Sequence, residues 1–536
     1  MVCFLPSSNV HPRALRNRLS SLIDTTTLYP KVSTCGGAWR LSRSSRAVTS
    51  MMSCSPEFPP SPAKPVWSGG RLARYILFEG THQGMQTAIS APTANNYATY
   101  VNPQWQRLLS VLGMDVAYDR CSGAELFTTD GRRIVDFLSG YCVHNTGHNH
   151  PEIIAAIKQE LDRSGPAMLQ SHVPELAGEL AARLCERAGG RLSKVFFCSS
   201  GSEGVETAIK FARAKTGRAG LLYNEGAFHG LTCGALSLMG DPFWRGNFGP
   251  MLPGTQAIPF ADIDALEQQL ATHQFAAFFM EPIQSEGGIR VPTREYMQAA
   301  QALCRKHGTL FVLDEVQTGM YRTGPFLAAH HFGVEPDMVV LAKALSGGLI
   351  PVGAVLMSEA VYKSVFDSLR NSIIHASTFS ENSISMRAGL ATLEVLDHYR
   401  LGERAAQSGE NLRVQLRAAL SGYEMVQEVR GAGLLSGIVF TPPRQLKLRL
   451  PFEAFRKIHP GMFGQVLVMR MFRDHGFLTQ MCGNNFMVLK VAPPLVVTGE
   501  QIDAFVTAIH RVVDVAHSSN AFWSEAIGLA RRAINV

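Results

Sequence analysis

Asp314 is a carboxylate at a position where a carboxylate is costly. The stretch LeuPheValLeuAspGluValGlnThrGly, residues 310–319, begins with four apolar residues, which predicts a buried strand of a parallel sheet. A carboxylate at the end of such a strand needs a cation or hydrogen-bond donors beside it. The sequence therefore predicts that a partner side chain or a bound molecule meets Asp314.

Lys343 is a second unusual charge. It follows the apolar run 339–342 directly and precedes a glycine-rich turn at 347–348. Lysine is rarely buried, so two interpretations stay open. Its stem can lie along the strand end while the amine reaches solvent, or the amine can take part in chemistry.

The stretch CysSerSerGlySerGluGly, residues 198–204, is typical of a strand that turns into a helix. Glu203 follows Ser200 by three residues, as in a capping box. The free N–H groups and the dipole at a helix start bind phosphate well. The stretch matches neither the nucleotide P-loop nor the GxGxxG fingerprint.

Together, these three features predict a cofactor. A phosphate cradle, an amine able to form a Schiff base and a buried acid are the parts needed to hold pyridoxal 5′-phosphate. Asp314 would face the pyridine nitrogen and keep it protonated. The protonated ring would then stabilise a carbanion at the reacting carbon of the substrate.

The elements that must position these residues alternate between strand and helix. Apolar runs at 194–198, 275–280, 310–313 and 338–342 are separated by helical periodicity, as in 206–215 and 296–307. This alternation predicts an α/β fold with a mostly parallel sheet flanked by helices, in which ligands gather beyond the carboxyl ends of the strands. The predicted organisation is a leader or disordered segment (1–93), the N-terminal part of a smaller α/β domain (94–148), a large cofactor-binding domain (149–390) and the C-terminal part of the smaller domain (391–536).

Composition excludes several classes of protein. Residues 1–50 contain seven basic residues and one acid, or +6, so the rest of the chain carries only +1 of the net charge of +7. A nearly neutral body of this kind lacks the basic stripe expected of a nucleic-acid-binding protein. No apolar run approaches the roughly 18 residues of a membrane span. The ten cysteines show neither CxxC nor zinc spacing, so we expect no metal, no disulfide framework and a reducing, cytoplasmic compartment.

The first fifty residues allow two interpretations. Arginine and serine are frequent, and Leu15, Leu19 and Leu22 lie at helical spacing, as in a mitochondrial transit peptide. Alternatively, translation starts at Met51 or Met52 and the preceding residues are an over-extended reading frame. The five prolines of residues 54–70 predict a disordered linker.

From about residue 95 to its end, the chain resembles the class III aminotransferases, the fold-type I group that includes ornithine, acetylornithine and putrescine aminotransferases. Six motifs occur in the family's order and spacing. They are SerGlySerGluGlyValGluThrAlaIle (200–209), AlaPheHisGly (227–230), GluProIleGlnSerGluGlyGly (281–288), AspGluValGlnThrGly (314–319), LeuAlaLysAlaLeuSerGlyGly (341–348) and HisAlaSerThrPhe (375–379).

The resemblance implies roles for individual residues. Lys343 would form the Schiff base and shuttle the substrate proton, and Asp314 would hold the pyridinium. Gly201 and Ser202 would bind the phosphate, and Thr378 would reach the phosphate in the neighbouring subunit, which implies a homodimer. The further cofactor-binding positions are Phe228, His229, Glu281, Val316 and Gln317.

The positions around the ring are also implied. Phe228 matches an aromatic residue that stacks on one face of the ring and Val316 a residue on the other face. Asp314 and Val316 are two residues apart and so point to the same side of a strand, whereas Glu315 points away, towards an expected ion pair with a helix. Gln317 matches a residue that hydrogen-bonds to the ring hydroxyl, and Glu281 matches a residue that supports this hydrogen-bond network.

Departures from the family pattern concern the substrate. Leu231 stands where ornithine-type enzymes have an arginine that binds the distal carboxylate of 2-oxoglutarate. Lys490 replaces a second arginine, with Glu286 as its glutamate, and lysine lacks the two-pronged geometry of arginine. Tyr141 matches a tyrosine of the donor pocket, and Val111 replaces another tyrosine.

These departures predict a more apolar pocket and an aminotransferase that uses an amine or ω-amino donor. The acceptor would be a 2-oxo acid or an aldehyde, in ping-pong chemistry. The alternatives are an ornithine- or acetylornithine-type enzyme that uses 2-oxoglutarate, or a decarboxylase, racemase or mutase, since these chemistries share the same cofactor residues.

Overall fold

The computed structural model describes residues 96–169, 171–458 and 462–534. These residues belong to one compact unit. The predicted leader and linker lie outside the described residues, and the domain boundaries after residues 148 and 390 stay predictions. In the described ranges, no helix combines the length and the apolarity needed to cross a bilayer.

Helices and strands alternate along most of the described chain. The strands are β1 (Tyr118–Ser122), β2 (Glu125–Thr128), β3 (Arg133–Asp136), β4 (Leu192–Cys198), β5 (Gly220–Asn224), β6 (Thr255–Ile258), β7 (Phe275–Met280), β8 (Leu310–Asp314), β9 (Met338–Leu341), β10 (Gly353–Ser358), β11 (Val426–Ala432), β12 (Leu435–Phe440), β13 (Phe477–Leu478), β14 (Gln480–Cys482) and β15 (Asn485–Val491). The helices are α1 (Asn96–Tyr100), α2 (Pro103–Leu112), α3 (Ser139–Cys142), α4 (Pro151–Asp162), α5 (Glu175–Ala188), α6 (Gly201–Thr216), α7 (Cys233–Leu236), α8 (Pro242–Arg245), α9 (Ile263–Leu270), α10 (Arg294–His307), α11 (Ala329–Phe332), α12 (Glu359–Tyr362), α13 (Ser383–His398), α14 (Leu401–Leu420), α15 (Leu446–Ile458), α16 (Met462–His475), α17 (Gly499–Ser518) and α18 (Asn520–Ile534).

The central sheet has seven strands in the order β4-β10-β9-β8-β7-β5-β6. Neighbouring strands from β9 to β6 pair in parallel, and only β10 runs antiparallel to its two neighbours. The mostly parallel α/β sheet predicted from the sequence is therefore confirmed.

Both faces of this sheet are buried. In β8, Phe311 and Leu313 belong to one apolar cluster, which also contains residues of α10, while Val312 belongs to a second cluster with residues of α6. Successive side chains of a strand point to opposite faces, so an uninterrupted apolar run suits a strand covered on both sides.

Two four-stranded sheets lie outside the central sheet. One has the order β1-β2-β3-β13, and the other, called here the C-terminal sheet, has the order β11-β12-β15-β14. The C-terminal sheet contributes Lys490 from β15 and, between β14 and β15, the two-residue turn Gly483–Asn484.

The topology gathers the predicted site at one edge of the central sheet. Asp314 ends β8, Lys343 follows β9 by two residues, and α6 begins three residues after the end of β4. Strands β8 and β9 are direct neighbours, with Asp314 opposite Val340. Because parallel strands end at the same edge, the acid, the amine and the helix start converge there.

Candidate active site

A cavity of about 430 Å³ opens at this edge of the sheet. Nine of the predicted cofactor residues line it, whereas Thr378, Tyr141, Glu286 and Lys490 do not. The nine are Gly201, Ser202, Phe228, His229, Glu281, Asp314, Val316, Gln317 and Lys343.

Asp314 is buried and faces two hydrogen-bond donors. Its Oδ2 lies 2.8 Å from Nδ1 of His229, and its Oδ1 accepts a bond of 3.1 Å from the backbone N–H of Val316. Burial opposes protonation of His229, but the hydrogen bond and charge of Asp314, with the charge of Glu281, outweigh it and raise the pKa of His229. Both donors stabilise Asp314 as a carboxylate.

Lys343 projects its amine into the cavity from a strained position. Its backbone is left-handed, with φ of 47°, in a short 3₁₀ turn (Lys343–Ser346) that begins two residues after the end of β9. Burial lowers the pKa of the amine, although the charge of Asp314 opposes this. Within the described ranges, no side chain or backbone group hydrogen-bonds to the Lys343 amine. A cavity amine with a lowered pKa is a good nucleophile.

The start of α6 is capped so that its first donors face the cavity. Oγ of Ser200 accepts a 3.2 Å bond from the N–H of Glu203, and the Glu203 carboxylate accepts a 2.8 Å bond from the N–H of Ser199. The capping predicted from sequence is present, but the glutamate reaches one residue further back. The N–H groups of Gly201 and Ser202 belong to the first turn, which lacks intrahelical acceptors.

Two side chains define the cavity walls near Asp314. Val316 packs so closely against α6 that a Cβ on Gly201 would lie 3.0 Å from its Cγ2. Glu281 also lines the cavity and accepts hydrogen bonds from the N–H of Phe228 at 3.0 Å and of Ser285 at 3.1 Å. Burial raises the pKa of Glu281 to about 7.

The chemistry of these groups fits pyridoxal 5′-phosphate. A helix start with free donors suits a phosphate, a carboxylate backed by histidine suits a pyridinium nitrogen, and an amine with a lowered pKa suits an aldehyde. Nε2 of His229 is buried and lacks a hydrogen-bond partner among the described residues. The arrangement can therefore hold a phosphorylated, protonated ring beside a reactive amine.

Lys490 and Glu286 form a buried ion pair next to the cavity. Glu286 also accepts bonds from Nε2 of Gln317 at 3.0 Å and from the N–H of Gly483 at 2.7 Å. The Lys490 amine donates to Oε1 of Gln317 at 3.3 Å and lies 5.1 Å from the ring centre of Tyr141. Burial opposes both charges, but their mutual attraction lowers the pKa of Glu286 and raises that of Lys490.

Gln317 lines the cavity while its amide bonds to Glu286 and Lys490, and Glu281 bonds to the backbone N–H of Phe228. The roles of Gln317 at the ring hydroxyl and of Glu281 in that network stay predictions. The ion pair expected for Glu315 is wrong, because its carboxylate instead binds the N–H groups of Ala328 and Ala329 at the start of α11.

The apolar lining of the cavity also has a different source. Val111 packs against the main core and Leu231 is exposed, so neither lines the cavity. Besides Phe228 and Val316, the apolar side chains come from Val143 and from the segment 349–352. The glycine-rich turn after Lys343 was the only signal for that segment, and nothing in the spacing pointed to Val143.

In the part of the chain that the structure describes, no cluster of three or more histidine, cysteine, aspartate or glutamate side chains has an arrangement that could hold a metal ion.

Comparisons with known proteins agree on one family. The family model described as Aminotransferase class-III matches residues 110–513. Aminotransferase PigE of Serratia is 35% identical over 453 residues, which cover 79% of this chain and 53% of that protein, so the chain spans about half of its length. A putrescine aminotransferase of Pectobacterium atrosepticum is 38% identical over 429 residues, covering 77% of this chain and 86% of the relative.

A solved structure gives the same result. The ornithine aminotransferase of Toxoplasma gondii, crystallised with partial occupancy of pyridoxal phosphate at its active site, superposes with a TM-score of 0.67 and 30% sequence identity. The match covers 75% of this chain and 91% of that one.

Proposed function

The chain belongs to the class III aminotransferases, which depend on pyridoxal phosphate, and from that membership we propose that it transfers an amino group from an amine or ω-amino donor to a 2-oxo acid or an aldehyde. The observation that supports this class of donor is the composition of the cavity lining. Lys343 is the one lysine among the described lining residues, no arginine is among them, and the lining histidine, His229, is bonded to Asp314. A donor with one or more carboxylates would find no cation there beyond the reactive amine.

We propose that the predicted cofactor residues act as follows. Pyridoxal phosphate, when bound, supplies an aldehyde for the donor amine and a protonated ring that stabilises negative charge at the donor's reacting carbon. Gly201 and Ser202 hold the phosphate by their N–H groups, and Asp314, backed by His229, holds the ring nitrogen. The Lys343 amine anchors the cofactor between turnovers and moves the proton at the reacting carbon of the donor.

The ion pair beside the cavity supports the same donor class. Glu286 is held by Lys490, Gln317 and Gly483 at once. A substrate carboxylate at Lys490 would have to share the amine with Glu286 and Gln317, and would bring a further negative charge beside the buried Glu286. Donors without an α-carboxylate avoid this cost. Similarity to a putrescine aminotransferase is consistent with such donors.

An ornithine- or acetylornithine-type activity with 2-oxoglutarate is the second candidate. The structural similarity to an ornithine aminotransferase and the position of Tyr141 beside Lys490 favour it.

A panel of donors tests the proposal. The cofactor-loaded protein is mixed with diamines, alkyl amines, ornithine or acetylornithine, and loss of the visible absorbance of the cofactor is followed before any acceptor is added. Lys343→Ala is the blank. We expect amines to bleach the protein and to yield a stoichiometric carbonyl product. Slow reaction with every amine beside fast reaction with ornithine or acetylornithine would favour the second candidate instead.

We also propose that the enzyme is a homodimer in which Thr378 reaches the cofactor of the partner subunit. Thr378 is exposed and does not line the cavity of its own chain. The surrounding segment exposes Leu369, Ile373, Ile374 and Phe379, and exposed apolar clusters are typical of association sites. Light scattering should give twice the chain mass, and mass of a single chain at micromolar concentration would contradict the dimer.

We propose a cytoplasmic location, which the seven free cysteines of the described residues support. A mitochondrial location remains the alternative if residues 1–50 are a transit peptide. Fusion of residues 1–50 to a fluorescent protein distinguishes the two, because only a transit peptide would carry the fusion into mitochondria.

A further inference from the structure

A turn of the C-terminal sheet is bonded to the backbone that precedes Phe228. Nδ2 of Asn484 donates to the carbonyl oxygens of Gly226 at 3.0 Å and Ala227 at 3.2 Å. Its Oδ1 accepts a 2.6 Å bond from Nε1 of Trp244. Both ends of this one amide are therefore used, and the chain just before Phe228 is tied to β14 and β15.

Trp244 contacts Phe228 from the side. It lies in the short helix α8, and its ring is perpendicular to that of Phe228 at a centre-to-centre distance of 5.3 Å. Edge-to-face contact of this kind is a favoured aromatic geometry. Phe228 is thus held at its backbone by Glu281 and at its ring by Trp244.

The other side of the same turn is bonded to Glu286. The N–H of Gly483 donates to Oε2 of Glu286 at 2.7 Å, and the N–H of Asn484 donates to the Glu286 carbonyl at 2.9 Å. A Cβ on Gly483 would lie 3.0 Å from Oε2 of Glu286 and 3.6 Å from Cζ2 of Trp244. The turn therefore fills the space between the Glu286–Lys490 pair and Trp244.

We propose that Asn484 and Trp244 are positioning residues that fix the ring of Phe228 against the cofactor and couple its position to the Glu286–Lys490 pair. The inference rests on the proposed role of Phe228 as a wall of the cofactor site. Neither residue belongs to any of the six motifs, and neither lines the cavity, so both act through Phe228. A change at the ion pair would reach the cofactor ring through the turn Gly483–Asn484.

Trp244→Phe tests this role, because it keeps a ring beside Phe228 and removes the Nε1 donor. Trp523→Phe is a matched control: Nε1 of Trp523 also donates to one oxygen, that of Ala516 at 3.1 Å, in a buried cluster that does not line the cavity. The measurements are the dissociation constant of pyridoxal phosphate, the visible circular dichroism of the bound cofactor and thermal unfolding of the cofactor-free protein.

We expect Trp244→Phe to weaken cofactor binding about 3- to 10-fold, the loss of one net hydrogen bond, and to reduce the dichroism. Trp523→Phe should leave both unchanged. Loss of thermal stability in the cofactor-free Trp244→Phe protein should not exceed that of the control. Equal cofactor affinity and dichroism in the two variants would overturn the proposal.

A double variant and a Phe228 variant complete the test. In an Asn484→Ala background, Trp244→Phe should change affinity by less than about twofold, because its acceptor is already gone. If Trp244→Phe lowered the cofactor affinity as much in the Asn484→Ala background as in the wild type, the two residues would not be coupled. If Phe228→Ala leaves affinity and dichroism unaltered, Phe228 is not the contact and the inference fails, while the donor panel still decides the proposed function separately.

Discussion

Nδ1 of His229 lies 2.8 Å from Oδ2 of Asp314, and both side chains are buried at the carboxyl edge of the central sheet. His229 is therefore a partner side chain of the kind that the sequence predicts for Asp314. The acid is tolerated in the core because a histidine and the N–H of Val316 stabilise its charge, and the lone pairs that remain free on its oxygens can meet a cationic ring nitrogen.

Asp314→Asn should remove the charge while keeping the size of the side chain. We expect cofactor affinity and the rate of donor bleaching to fall about 10- to 150-fold, the value of a charge-assisted hydrogen bond. Rapid mixing with an amine donor measures the rate, and titration of the cofactor-free protein with pyridoxal phosphate measures the affinity. Asp337→Asn is the control, because Asp337 binds the N–H of Phe311 near the opposite end of the same strand. A similar loss of affinity and rate in Asp337→Asn would mean that the losses come from disturbance of the sheet and not from the charge of Asp314.

Lys343→Ala should abolish turnover without unfolding the protein. Its amine has no structural partner among the described residues, so its removal breaks no hydrogen bond, while pyridoxal phosphate can still bind by its phosphate and ring. Equilibrium dialysis and the steady-state assay measure the two properties. Lys306→Ala, at an exposed lysine, should keep full activity. Appreciable turnover by the Lys343→Ala protein would contradict the proposed role.

Glu315 should make stability depend on pH. Burial raises its pKa from 4.5 to about 7. The folded protein therefore holds this proton over a pH range in which the unfolded chain has lost it, so stability falls as pH rises through that range and is constant above it. The free-energy difference is about 3 kcal/mol.

Glu315→Gln should remove that part of the pH dependence. Urea unfolding of the cofactor-free proteins at about pH 5 and about pH 8 measures it. The wild type should lose about 2 to 3 kcal/mol more than the variant over this interval. Parallel pH profiles of the two proteins would show that the carboxyl is already ionised at the lower pH.

Replacing only Lys490 of the Lys490–Glu286 pair should destabilise the protein more than replacing both residues. Lys490→Met leaves the buried Glu286 without its cation, which should destabilise the protein by about 3 to 5 kcal/mol. The double variant Lys490→Met, Glu286→Gln should recover more than half of that loss, because no buried charge is left over. The shift of the urea midpoint measures both, and equal losses in the two proteins would argue against the ion pair.

The sequence predicted the parts of the site that depend on local pattern. Asp314, Lys343 and the start of α6 each stand at the end of an apolar run, and parallel topology alone brings such ends together. What depends on long-range contact could not be predicted. Asn484 and Trp244 are separated by 240 positions along the chain, and only the packed structure shows that they meet.

Other differences have local physical causes. Glu315 was expected to pair with a cation, but two N–H donors at the start of α11 bind its carboxylate instead. The role of Gln317 at the cofactor stays a prediction, but its bonds to the buried charges of Glu286 and Lys490 were not visible in the sequence. Side-chain partners of this kind depend on which groups are left unsatisfied after folding, and spacing along the chain does not reveal them.

The most direct test of the central claim, that Lys343 is the amine that bonds pyridoxal phosphate in this cavity, is chemical. The cofactor-loaded protein is treated with borohydride, which makes permanent any bond between the cofactor and an amine, and is then digested and mapped by mass spectrometry. The account predicts one cofactor-derived group per chain, on the peptide that contains Lys343. A group on another lysine, such as Lys490, or no uptake of cofactor at all, would contradict it.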